Sequence, residues 1–253
     1  MASIKRALLG TYSYAEFGAC LGAFLPVIAA TRFAHRADEV PRHAGRALRR
    51  MARVAQRLSP LWEFEVRGEP PADIATRAYV VVSNHESNAD PLLLSWLPWD
   101  MRWVAKKELF AIPFAGWAIA LAGDIPLRRG EAASVRAMFA ECRRTLDAGL
   151  SVMMFPEGTR SRDGGLLAFK DGAFELAIQA GVPVLPLALT GTHDCMPKGS
   201  RWFGEASAVV HVLPPILTSG MREANVAELR DLARSTIARS VAALRAERPS
   251  HPG

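Results

Sequence analysis

Past Trp62, short β-branched or apolar runs alternate with stretches of helical character. The runs predict strands at Glu63–Val66, Tyr79–Ser83, Arg102–Ala105, Asp124–Leu127, Val152–Phe155, Val184–Leu189 and Val209–Leu213. The stretches between them predict helices near 90–97, 114–121, 131–148, 171–180 and 223–246. Strands alternating with helices of this length imply an α/β fold, a mostly parallel mixed sheet covered by helices on both faces. No internal repeat or low-complexity linker interrupts the pattern. Prolines break it at Ser59-Pro60 and at Gly68-Glu69-Pro70-Pro71, which divides the chain into a helical motif over 1–60 and an α/β domain over 61–248. Pro183 and Pro186 bracket an apolar strand start, so that strand is expected at a sheet edge or as a site wall.

The first sixty residues follow a different pattern. Phe17–Ala30 is a charge-free run of 14 residues, preceded by Glu16 and containing Pro26. A bilayer span needs about 20 apolar residues, and a run of about 10–14 is more often interfacial or re-entrant. Pro26 is expected to kink the helix. Lys5 and Arg6 ahead of the run are compatible with a secretory signal, but Glu16 and the arginines beyond the run argue against one. The run is therefore expected to embed partly in a membrane or to span it tightly. A second helix follows, with Leu48, Met51, Ala55 and Leu58 on one side and Arg46, Arg49, Arg50, Arg53 and Arg57 on the other. Such a helix is expected to lie in a head-group layer, each surface cation contributing roughly 1 kcal/mol against anionic lipid.

Charge points the same way. Residues 1–60 carry ten Lys and Arg against three Asp and Glu, a net +7, so the other 193 residues hold −1 of the total of +6. Nucleic-acid-binding proteins spread cations over a folded face with aromatics between them. Here the cations sit beside the most apolar stretch, which points to anionic lipid and away from nucleic acid. With 253 residues, half of them hydrophobic, the chain can bury the core of one α/β domain, and only Pro249–Gly253 looks disordered. Cys20, Cys142 and Cys195 are scattered without metal or redox spacing, as expected for buried or free thiols in a reducing compartment.

Candidate chemistry concentrates at strand ends. Asn84-His85-Glu86-Ser87-Asn88-Ala89-Asp90 directly follows Tyr79–Ser83, and a strand end opening into a helix is where α/β sheets place ligands. His85 is suited to take a proton near neutral pH. Asp90, five residues on, can hold one ring nitrogen and leave the other as base. No Gly-x-Ser-x-Gly elbow accompanies them, so the base would act on a hydroxyl of the substrate. A His and an Asp at this spacing are also common for purely structural reasons. Phe155-Pro156-Glu157-Gly158-Thr159-Arg160-Ser161 follows Val152 in the same way. Gly158 lets a ligand approach the backbone, Arg160 offers a donor fork for phosphate or carboxylate, and Glu157 could orient that arginine or bind a hydroxyl. The same residues would equally form a surface turn with an internal ion pair. Lys106, Lys107, Arg128 and Arg129 would complete an anion site, or singly be solvated charges.

Together, NHESNAD at 84–90, the block from Lys107-Glu108-Leu109 through Pro113 and Gly116 to Arg129, FPEGTRS at 155–161 and VPVLP at 182–186 resemble, in order, the four sequence blocks of the glycerophospholipid acyltransferase family. The likeness is to the bacterial 1-acylglycerol-3-phosphate acyltransferases in particular. It spans about residues 78–215, and the two N-terminal helices resemble that family's membrane-anchoring motif. The resemblance implies acyl transfer from an acyl thioester, carried on coenzyme A or acyl carrier protein, to the sn-2 hydroxyl of lysophosphatidic acid. His85 would be general base and Asp90 its orienting partner. Asn84, Glu157, Gly158, Thr159 and Arg160 would bind the acceptor's glycerol-phosphate end, helped by Lys107 and Arg129. No metal or cofactor is implied, because a thioester is already activated. The implied location is the cytoplasmic face of a bacterial inner membrane, with membrane lipids and the lysophospholipid acceptor as partners. Arg128 departs from the family pattern, which often has an acidic residue just before its arginine, and leaves the acceptor open. Another lysolipid such as a lyso-ornithine lipid, a thioesterase and a non-catalytic lipid-binding module are the alternatives.

Overall fold

Two helices precede the sheet in the structure, a computed structural model that describes residues 2–161, 164–196, 199–200 and 203–247, with side chains from Leu8 onward. Pro249–Gly253 and the side chains of Lys5 and Arg6 lie outside the described residues. Helix α1 (Ala2–Ala34) runs through Pro26 without interruption. Its stretch Leu8–Ala34 is long and apolar enough to cross a membrane, by length and composition alone. Ser13, Glu16, Cys20 and Ile28 are buried along one stripe, so the charge that interrupts the apolar run faces the protein. Tyr12, Val27 and Phe33 remain exposed.

Helix α2 (Arg42–Leu58) packs its apolar side, Leu48, Met51 and Ala55, against Phe17, Leu21 and Phe24 of α1. Leu58, expected on that side, is 54% exposed. The arginine side differs more from expectation. Arg49 is buried and donates to the Met101 carbonyl, and Arg53 donates to the Ser95 carbonyl at 2.9 Å. Arg46 pairs with Asp100 at 2.5 Å, and Arg57 lies 4.8 Å over the Trp96 ring. Four of the five cations read as a head-group face therefore dock α2 onto the α/β domain, and Arg50 stays exposed. Helical periodicity says which residues share a side, not what that side meets. Guanidinium groups tolerate burial when carbonyls or carboxylates satisfy them.

The α/β domain then runs β1 (Trp62–Arg67), β2 (Val80–Ser83), α3 (Asp90–Leu94), β3 (Met101–Lys106), a 3-10 turn (Lys107–Ala111), α4 (Ala115–Ala122) and β4 (Ile125–Leu127). It continues through α5 (Ala132–Asp147), β5 (Ser151–Met154), α6 (Gly172–Ala180), β6 (Val184–Thr190), α7 (Thr192–Cys195), β7 (Ala206–Val212) and α8 (Val226–Glu247). The expected helix over 90–97 stops at Leu94, and the turn Lys107–Ala111 and helix α7 carried no periodic signal.

The seven strands form one mixed sheet in the order β1-β7-β6-β2-β5-β3-β4. Strands β6, β2, β5, β3 and β4 are parallel neighbours, and β7 meets β6 antiparallel while pairing parallel with β1. Interior strands β2, β5 and β6 are predominantly apolar and fully buried because both faces are covered. On one face lie α5, α6 and α8 through Met138, Cys142, Phe174, Leu176, Leu229 and Ile237. On the other, Leu93, Leu94 and Leu97 pack on Tyr79, Val81 and Met153. The three cysteines are free and buried. Strand β6, expected at an edge or as a site wall, is an interior strand with all seven residues buried. Its Pro186 is accommodated because its carbonyl, which accepts from Leu213, points toward β7 just past the end of the antiparallel ladder at Leu187–Val212. The absent N–H lies on the same side, so at most a bond at the ladder's end is lost and the pairing of β6 with β2 is untouched.

Candidate active site

Strands β2, β5, β3 and β4 run in one direction, with Val82 beside Met154, Trp103 beside Met153 and Lys106 beside Leu127. The segments that follow them, 84–90, 155–161, Lys107 and Arg128–Arg129, therefore leave the sheet at its carboxyl-terminal end.

His85 Nδ1 lies 2.6 Å from Asp90 Oδ2. The Asp90 carboxylate is fully buried and gathers donors: Glu86 N at 2.9 Å and Ser87 N at 3.1 Å on Oδ2, and Ser87 N at 3.2 Å plus the Thr192 hydroxyl on Oδ1. A carboxylate so surrounded acts as acceptor, so the proton in the 2.6 Å contact belongs to Nδ1 and the lone pair to Nε2. The imidazole stacks on Phe155 with centroids 4.0 Å apart and planes 16° from parallel.

The two motifs are also locked through backbone. His85 N donates to Glu157 Oε1 at 2.9 Å, Leu167 N donates to Glu157 Oε2 at 3.1 Å, and Ser161 N donates to the His85 carbonyl at 3.0 Å. Glu157 is 4% exposed. Burial pushes its pKa up to about 7; the two amides pull it down, and the charges of Asp90 and Glu86 add to the rise. The sequence offered Glu157 to Arg160 or to a substrate hydroxyl; here each of its oxygens has a backbone partner. Asn84 is pinned likewise, its amide exchanging hydrogen bonds with the backbone of Leu189 at 2.8 and 3.0 Å.

Gly158 has φ +68°, and a Cβ there would meet the Lys170 Cε and Nζ at 3.1 and 3.2 Å. The Lys170 ammonium thus passes beside the turn bearing the exposed Thr159 and half-exposed Arg160. Lys107 and Arg129 are exposed at the same sheet end, and no hydrogen bond among the described residues ties them to the His85–Arg160 assembly. Lys170 was missed in the sequence because a lone lysine before a helix is unremarkable there.

Glu86 and Arg245 were missed too. Glu86 is buried; its Oε2 accepts from Gly191 N at 3.0 Å and its Oε1 from Arg245 Nη2 at 2.8 Å. Arg245 also donates to the Gly164 carbonyl, so the last turn of α8 ties the histidine loop to the segment beyond Arg160. Burial pushes the Glu86 pKa up to about 7, helped by the charge of Asp90 and opposed by Arg245. One metal-like grouping exists among the described residues, His35 and Asp38 from the α1–α2 connection with His43 of α2. Its two rings stack 3.9 Å apart and 14° from parallel, so their in-plane lone pairs do not converge on one point.

Residues 63–190 match the family model described as acyltransferase. The 1-acyl-sn-glycerol-3-phosphate acyltransferase alpha of Ovis aries is 41% identical over 180 residues, covering 68% of this chain and 61% of that protein. The chloroplastic 1-acyl-sn-glycerol-3-phosphate acyltransferase of Brassica napus is 37% identical over 155 residues, 60% of this chain and 45% of that protein. The matched region thus spans about half to three-fifths of the length of these relatives. The crystal structure of the 1-acyl-sn-glycerophosphate (LPA) acyltransferase of Thermotoga maritima superposes with a TM-score of 0.81 at 29% identity, covering 99% of this chain and 100% of that one. The match over 63–190 takes in both the His85–Asp90 pair and the Arg160 turn locked to it, and on it this chain belongs to the acyltransferase family.

Proposed function

We propose that the chain transfers a fatty acyl group from an acyl thioester to the sn-2 hydroxyl of lysophosphatidic acid, giving phosphatidic acid. The observation that carries this reading is the 2.6 Å contact between His85 and Asp90, joined by backbone hydrogen bonds to the turn bearing Arg160. A base without a protein nucleophile activates an oxygen nucleophile brought to it, here the acceptor hydroxyl, and the cations beside it suit that acceptor's phosphate. The names of the relatives agree with that acceptor.

In the proposed reaction His85 Nε2 takes the hydroxyl proton as the oxygen attacks the thioester carbonyl carbon. Asp90 holds the ring through Nδ1 and stabilises the imidazolium that forms. When the tetrahedral intermediate collapses the C–S bond breaks, and the thiol leaves with the proton from Nε2. Arg160, with Thr159, Lys107, Arg129 and Lys170, would hold the acceptor phosphate, while Gly158 admits it close to the backbone. Asn84 and Glu157 would support the site by fixing the histidine loop. Arg128 pairs with Glu131 at 3.4 Å, so the extra cation has a local counter-charge. The donor would be acyl-coenzyme A or an acyl-acyl carrier protein, and the enzyme would work at the cytoplasmic face of a bacterial inner membrane, where a soluble thioester meets a bilayer lipid.

A panel of lysolipids given to the purified protein with each donor tests this reading. It expects phosphatidic acid from lysophosphatidic acid in preference to other acceptors. Arg160→Ala should raise the acceptor KM about 10- to 100-fold, the loss of a charge-assisted hydrogen bond. Thiol release independent of any acceptor, or unchanged acceptor saturation in the variant, would contradict it.

A further inference from the structure

Residues 109–123, LFAIPFAGWAIALAG, contain no charged and no polar side chain. A helix apolar on every side belongs in a protein core or in lipid, yet α4 is only half covered. Its Ala118 and Ala122 face inward, Ala118 packing with Ile28 of α1 and Ala44 of α2. On the outside Leu109, Ile112, Phe114 and Trp117 are 38, 46, 55 and 55% exposed. Phe114 holds φ +61°, a conformation rare for a bulky residue, and this places its ring outward beside Trp117 with centroids 5.0 Å apart. A strained backbone that exposes an aromatic ring gives no stability in water.

Two further observations name what covers this face. It adjoins the N-terminal helices, because α4 packs directly on α1 and α2. Exposed cations also flank it along the chain, Lys106 and Lys107 before it and Arg128 and Arg129 after it, with Lys106 near Glu108 at 3.8 Å and Arg128 near Glu131 at 3.4 Å. An apolar patch with aromatic rings and a cationic border matches an anionic lipid bilayer. We infer that the segment Leu109–Trp117 inserts into an anionic bilayer as a second membrane contact, in addition to the first sixty residues and placed at the mouth of the active site. The turn Lys107–Ala111 begins at the carboxyl-terminal end of β3, the sheet end that carries His85. A lipid acceptor would then reach His85 without leaving the membrane surface. The inference rests on the reading of a membrane lipid as acceptor.

The test uses the full chain with an environment-sensitive fluorophore at Ile112→Cys, the native cysteines being buried. A control label goes at Ser219→Cys, in the loop past Ile216, which bridges Val184 at the opposite end of the sheet. On phosphatidylglycerol-containing vesicles the label at 112 should shift to the blue and be quenched by spin-labelled lipid, and the label at 219 should do neither. A vesicle-bound protein whose 112 label stays in water overturns the inference while leaving the acyltransferase reading intact. Failure to bind vesicles at all overturns it together with the membrane role of α1. A second measurement uses Phe114→Gly with Trp117→Ala, substitutions compatible with the local backbone. Turnover of vesicle-embedded lysophosphatidic acid should fall roughly tenfold or more, from lost burial of two rings, while a short-chain acceptor dissolved as monomers is used as before. Equal loss on both acceptors, or loss on neither, overturns the inference.

Discussion

The Asp90 carboxylate accepts from two backbone amides, a threonine hydroxyl and the His85 ring. Asn at 90 would aim an amide NH2 at some of those donors and favour the wrong imidazole tautomer. Asp90→Asn should lower kcat on the order of 10²–10⁴ and cost about 1–3 kcal/mol of stability from unpaired buried groups. Steady-state kinetics alongside denaturant unfolding checks both, and a variant with unchanged kcat would remove Asp90 from the mechanism. Glu157 makes a pH prediction. Its folded pKa, about 7, lies above its value in an unfolded chain. The stability it contributes is therefore fully present below pH about 4.5 and lost as pH rises through about 7, by roughly 3 kcal/mol at most. Glu157→Gln should flatten the fall in unfolding free energy across that window. A slope as steep as that of the parent protein would show that burial of Glu157 is not its source.

Among the elements, α2 shows where pattern reading stops. Spacing alone sorted its two sides into apolar and basic, with Leu58 exposed against expectation, but the basic side meets the α/β domain through Arg46, Arg49, Arg53 and Arg57. Arg49→Ala should thus destabilise the protein by about 2–4 kcal/mol, leaving the Met101 carbonyl without its partner. Arg50→Ala should leave stability unchanged and weaken binding to anionic vesicles by roughly 1 kcal/mol. Unfolding and vesicle co-sedimentation separate the two, and equal effects on both readouts would restore the head-group reading of that side. The strands were legible because a sheet covered on both faces demands uninterrupted apolar runs, as in Val80–Val82. The edge placement of β6 failed because whether Pro186 lacks a needed donor depends on where the β7 ladder ends, a fact of pairing and not of sequence.

At the scale of the whole molecule, the His85 and Arg160 motifs could be read because each sits immediately after a strand, and parallel strands deliver their ends to one edge of the sheet. What could not be read was how the motifs join. Glu157 reaching back to His85 N, and Arg245 reaching Glu86 across 159 residues, are contacts between distant segments that leave no local periodicity. The same holds for the apolar face at Leu109–Trp117, whose outer side chains the described residues leave 38–55% exposed. The α1 and α4 surfaces and the site lie on one body, so lipid contact and chemistry are read here as a single arrangement.

The central claim is that the Nε2 lone pair of His85 takes the proton of a lysophosphatidic acid hydroxyl. The most direct test compares phosphatidic acid formation by the parent protein and by His85→Ala, with folding of the variant confirmed by its unfolding transition. The account predicts product from the parent protein and a loss of several orders of magnitude in the variant, since general-base and alignment contributions compound. Undiminished phosphatidic acid formation by a folded His85→Ala protein would contradict it.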